Sequence, residues 1–60
     1  MKELIEKGIQ VFGSKAKFMN WIDTENEALG GLTPDSILDS SLGSSIIYDL
    51  LMKIEKGALS

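Results

Sequence analysis

Asp35 and Asp39 stand four residues apart, the spacing that can place two carboxylates on one helical face. Paired carboxylates do acid–base work when their surroundings push their proton affinities apart. On a short solvated helix, whose N-terminus favours negative charge, the same pair is an ordinary surface feature, and that is the reading adopted. Nucleophilic catalysis has less to build on. The chain contains no His and no Cys, so only carboxylates and Lys remain as bases. The same absence removes disulfides and any zinc site made from Cys or His. Gly30-Gly31 before Thr33 lacks the spacing, the Lys and the preceding strand of a phosphate loop; it reads as a turn between helices. No catalytic residue, metal site or cofactor is expected, and the chain is not expected to be an enzyme.

Chemistry of the binding kind is better represented. Around the last helix, Ile46, Ile47, Leu50, Leu51 and Ile54 form one apolar stripe about 140° wide at 100° per residue. Tyr48 and Met52 fall beside that stripe, one turn apart, on the flank that also carries Glu55. Single exposed apolar residues are ordinary. Two stacked on one helix, in a chain this short of core, favour a surface covered by another chain. Tyr brings a large ring with a polar tip, and Met a side chain that adapts its shape. Trp21 could anchor an interface, but it is too large a share of the hydrophobic complement to leave out of the core.

These residues need helices to hold them. Leu4, Ile5, Ile9, Val11 and Phe12 share one side of a first helix over 2–12, with Lys2, Glu3, Glu6, Lys7 and Gln10 opposite. Gly8 interrupts the apolar side and marks a place where another helix can approach closely. Gly13 is a C-cap and Ser14 an N-cap for a second helix over 15–23. There Ala16, Met19 and Ile22 share a stripe, and Phe18 joins Ile22 at i,i+4. Asn26 caps a short turn carrying Ala28 and Leu29, which Gly30-Gly31 breaks. Thr33-Pro34 starts a short helix carrying Ile37 and Leu38. Asp39, Ser40 and Ser41 offer caps for the last helix, expected to run to Lys56 and to end at Gly57. The expected fold is all-α: one domain over 1–60 of three longer helices plus one or two short ones.

Composition sets the outer bounds. A chain of 60 residues that is 43% hydrophobic suits a folded domain, not an acidic disordered tail. A domain this small is marginal alone and is commonly supported by tight helix packing, self-association or a partner. All the basic residues are Lys and the net charge is −3, which offers no footprint for nucleic acid. No apolar run approaches the ~20 residues that span a membrane, and the amphipathic start lacks the apolar core of a signal peptide. A cytoplasmic protein is expected.

Read in order, the landmarks are Val11-Phe12-Gly13, Ala16, Trp21-Ile22, Asn26, Leu29-Gly30-Gly31, Thr33-Pro34, Leu38-Asp39, Gly43, Leu50-Leu51, Ile54-Glu55 and Gly57. In kind, order and spacing, this series resembles the toxin-binding domain of the Xre/MbcA/ParS antitoxin family, from Ile9 to Gly57. The resemblance implies a domain that binds a toxin carrying the RES domain, which consumes NAD, and occludes its active-site entrance with the C-terminal part of the domain. That places Tyr48, Met52, Glu55, Lys56, Gly57 and Leu59 as the partner-binding residues. Full-length members usually carry an N-terminal helix-turn-helix; none is expected in this chain, so DNA binding does not carry over. Ile22 stands where such domains usually have Leu, and Ser44-Ser45 where charged residues are commoner. The alternative reading is a stand-alone helical module for dimerisation or regulation, without a toxin.

Overall fold

A computed structural model describes residues 2–59 of the chain, with side chains over 2–57. The elements are α1 (Lys2–Phe12), α2 (Lys15–Ile22), a single 3-10 turn (Glu27–Leu29), α3 (Pro34–Ile37) and α4 (Ser41–Leu59). The fold is all-α: three longer helices and two short ones, with no strand among the described residues. α1 packs against α2 and α4, while α3 bridges α2 and α4, so the four helices close a ring.

Capping residues set the boundaries. α1 stops where Gly13 turns to φ 85°, a left-handed conformation that glycine adopts without steric cost. Ser14 then accepts from the Lys17 amide through its hydroxyl at 3.2 Å and starts α2. Asn26 organises the connector: its side chain accepts from the Ala28 amide at 2.9 Å and its carbonyl from the Gly31 amide at 3.0 Å. Its own amide donates to the Leu32 carbonyl at 3.0 Å. The chain thereby arrives at Thr33, whose hydroxyl accepts from the Ser36 amide at 3.3 Å ahead of the buried Pro34. Ser40 accepts from the Gly43 amide at 2.8 Å at the head of α4.

The core is six side chains: Leu4 from α1, Phe18 and Ile22 from α2, Leu38 after α3, and Ile47 and Leu51 from α4. Each contributes about 1.5–3 kcal/mol by burial, against an ordering entropy of similar total size. Two glycines make this packing possible. A Cβ on Gly8 would enter the ring of Phe18, and a Cβ on Gly43 would strike the backbone carbonyl of Ile37. The aromatic side chains cluster around the first contact. Phe12 lies 6.1 Å from Phe18 and 5.5 Å from Trp21, ring centre to ring centre. Trp21 is half-buried against the core, stacked over Phe18 at 6.3 Å.

Four expectations are corrected. The inward side of α2 is Phe18 and Ile22, while Ala16 and Met19 are exposed; the larger ring takes the space that Gly8 leaves. Ile46, expected in the core stripe, is 39% exposed. With Gly43 held against Ile37, α4 is rolled so that Ile47 and Leu51 point inward and Ile46 falls at the rim. Gly57 does not end α4, which continues to Leu59. A glycine stops a helix by turning left-handed, and Gly57 is not among the glycines with positive φ. Asp35 and Asp39 do not share a helix, because α3 ends at Ile37.

Glycine substitutions separate these roles. Gly8→Ala is expected to cost about 1–3 kcal/mol by overpacking against Phe18, lowering Tm by roughly 4–8 °C per kcal/mol. Gly57→Ala meets nothing within 4 Å and is expected to leave stability unchanged or raise it by up to ~1 kcal/mol. Urea denaturation of the two variants checks both; a Gly8→Ala protein as stable as the parent would show that Phe18 is not fixed there.

Candidate interaction surface

α4 is the longest helix, and its placement decides what the domain can present. Gly43, Ile47, Leu51 and the half-buried Ile54 line its inner side. At 100° per residue, Tyr48, Met52 and Glu55 then fall within a sector of about 60° on the flank facing α1. Tyr48 is 39% exposed and Met52 is half-buried. Both were expected to reach solvent at their edges, and they do.

The structure adds α1 to this flank. An open groove beside Tyr48 is lined by Glu3 and Leu4 of α1 and by Ser44, Ser45, Tyr48 and Asp49 of α4. Its walls carry two carboxylates, two serine hydroxyls and a tyrosine, and no cationic side chain. The groove therefore offers hydrogen-bond acceptors and negative charge next to an aromatic ring. Farther along, Lys7 donates to Glu55 Oε1 at 2.9 Å, an ion pair joining residues 48 apart in sequence. Residues 3 and 4 lie beside 44–49, and Lys7 reaches Glu55. α1 and α4 therefore advance in the same direction along this seam.

The other expected contact residues sit less uniformly. Glu55 belongs to the flank, but its carboxylate is engaged with Lys7. Lys56 is exposed and next to the flank by helical count. Gly57 is exposed but falls about 180° from Tyr48, because α4 stays helical past it. Leu59 is helical in its backbone, and its side chain lies outside the described residues. Sequence reasoning did not find Glu3, Leu4, Ser44, Ser45 and Asp49 as one lining, since that lining depends on how α1 crosses α4 and has no local signal. Lys7 was placed on the solvent side of α1, and its half-burial follows from the pairing with Glu55.

The seam is held mainly by apolar packing. Partly exposed ion pairs contribute about 0.2–1 kcal/mol, and the two side chains here retain 17% and 33% exposure. Glu55→Gln is therefore expected to shift stability by less than about 1 kcal/mol, with the shift shrinking as salt is raised. Chemical denaturation at low and high ionic strength measures it. A loss of several kcal/mol would mean that the pair, rather than the core, closes the ring.

No helix among the described residues is long and apolar enough to cross a membrane. No group of three or more His, Cys, Asp or Glu among them could hold a metal ion. Comparison with known proteins agrees with the architecture. A family model for the antitoxin Xre/MbcA/ParS C-terminal toxin-binding domain matches residues 7–57. A curated protein from Yersinia enterocolitica serotype O:8 / biotype 1B (strain NCTC 13174 / 8081), named Antitoxin Xre, is 31% identical over 58 residues. That alignment covers 95% of this chain and 39% of the relative, so the chain spans about two fifths of the relative's length. No solved structure matches. The family match takes in α2, the 3-10 turn and α3 whole, together with most of α1 and α4, and on that basis the chain belongs to the Xre/MbcA/ParS antitoxin family, as its C-terminal toxin-binding domain.

Proposed function

We propose that this domain neutralises a toxin carrying a RES domain, an enzyme that consumes NAD, by covering its active-site entrance. The covering surface is the flank of Tyr48, Met52 and Glu55, continued by the C-terminal end of α4 at Lys56, Gly57 and Leu59. The observation that carries this reading is the exposed Tyr48 ring, next to half-buried Met52 and at the wall of an acidic groove. Such a surface is wet when alone and dry when covered. The domain acts by binding, without turnover of its own, and in the cytoplasm where the toxin's substrate lies. It makes no direct contact with nucleic acid, consistent with a net charge of −3 and basic residues that are all Lys.

Co-expression with the protein encoded by the neighbouring gene, and separately with a RES-domain toxin, tests the reading. Relief of the toxin's growth arrest and co-purification of the two chains are the expected results. Tyr48→Ser combined with Met52→Ser is expected to weaken the complex by roughly tenfold or more, as truncated interface anchors do, while helicity stays close to that of the parent. Deletion after Lys56 is expected to weaken it as well. A toxin that is bound and silenced equally well by the double variant would remove this flank from the mechanism; no relief of arrest by the unaltered chain would remove the toxin.

A further inference from the structure

The groove between the start of α1 and α4 carries a chemistry that the Tyr48–Met52 flank alone does not. Acceptors dominate its polar groups. Glu3 and Asp49 bring exposed carboxylates from the two helices. Ser44 Oγ donates its one proton to the Ser41 carbonyl at 3.1 Å, so toward the groove it can only accept. Neither carboxylate is in an ion pair among the described residues. Lys7, one turn beyond Glu3, is held by Glu55, and Lys53, one turn beyond Asp49, lies outside the lining. Two like charges without a cation between them repel and leave the groove complementary to a positive group.

The rest of the lining narrows what that group is. The Tyr48 ring at the wall is 39% exposed, and an aromatic face attracts a cation set over it. The volume is about 290 Å³, just under the roughly 300–1,000 Å³ of small-molecule pockets, which suits a single inserted side chain. A guanidinium meets these conditions together. It is planar and stacks on aromatic rings, its five N–H donors fan out to match carboxylates, and it sheds water more readily than an ammonium.

We propose that this groove receives the guanidinium of an arginine side chain from the protein that covers the Tyr48–Met52 flank. This rests on the flank being a docking surface and names the chemistry of what docks there. Tyr48 belongs to both surfaces, so the arginine stacks at the edge of the covered area. Its charge pairs with Glu3 and Asp49 as they lose water, the setting in which charge-assisted hydrogen bonds are strongest.

Titration of the purified chain with N-acetyl-arginine amide at low ionic strength, followed by NMR, is the first test. The Tyr48 ring and the amides of Ser44, Ser45 and Asp49 are expected to shift saturably. The neutral isostere N-acetyl-citrulline amide is expected to shift them little. Glu3→Gln combined with Asp49→Asn, two isosteric changes on exposed side chains, is expected to abolish the response with circular dichroism unchanged. In complex with the co-expressed toxin, the same double variant is expected to bind roughly tenfold or more weakly, with an affinity less sensitive to salt than the parent's. Citrulline as effective as arginine, or a double variant that responds like the parent, overturns the proposal. A toxin held as tightly by the Glu3–Asp49 variant as by the parent, but lost on Tyr48→Ser with Met52→Ser, leaves the flank in place and removes the groove. No complex with the unaltered chain removes the toxin, and the arginine titration then decides the groove by itself.

Discussion

The ring of Phe18 occupies the volume that any side chain at position 8 would need. A Cβ on Gly8 would enter that ring, so α1 and α2 meet at this distance only because residue 8 has none. Phe18 is completely buried as a result, with Phe12 and Trp21 packed beside it. In a core of six residues, one aromatic ring is a large fraction of the apolar area removed from water. Glycine inside a helix costs about 1 kcal/mol relative to Ala; a buried Phe offsets more than that. The local propensity of α1 is thus sacrificed to a tertiary contact, and the rest of the ring is arranged around it.

The second glycine does for α4 what Gly8 does for α1. Gly43 lies against the Ile37 carbonyl, and its amide donates to Ser40, so the start of α4 is fixed in both position and roll. Once the roll is set, the outward residues follow from the helical repeat. Ile47 and Leu51 face inward, the Tyr48–Met52 side turns toward α1, and the Leu42–Ile46 side turns away. A core this small covers only part of a nineteen-residue helix, which is why α4 shows apolar side chains on two flanks at once.

Much of the architecture was legible because its determinants are local. The extent of α1, the Gly13–Ser14 junction, the Asn26 turn and the Thr33–Pro34 start all rest on caps and left-handed glycines read within a few residues. The roll of the helices was less legible. Counting apolar positions at 100° steps gives Met19 and Phe18 equal weight, while packing distinguished them by what lay opposite, a glycine that admits a ring. Ile46 was misplaced for a related reason: its periodicity fits the stripe, but the contact of Gly43 with Ile37 sets the roll. Gly57 was read as a stop, although a helical glycine and a capping glycine have the same letter and differ only in φ. At the candidate surface, Tyr48 and Met52 were visible as residues off the stripe. The groove against Glu3 and Leu4, and the pairing of Lys7 with Glu55, join the two ends of the chain and leave no trace in either segment alone.

Marginal size ties stability to occupancy. Any chain that binds the folded domain and not the unfolded one raises its stability by RT ln(1 + [L]/Kd), which is about 2.7 kcal/mol at a hundredfold excess over Kd. For a domain of ordinary stability per residue, that is a substantial fraction of the total. A chain that covered the Tyr48–Met52 flank would stabilise the roll of α4 that the contact of Gly43 with Ile37 sets, through the folding equilibrium.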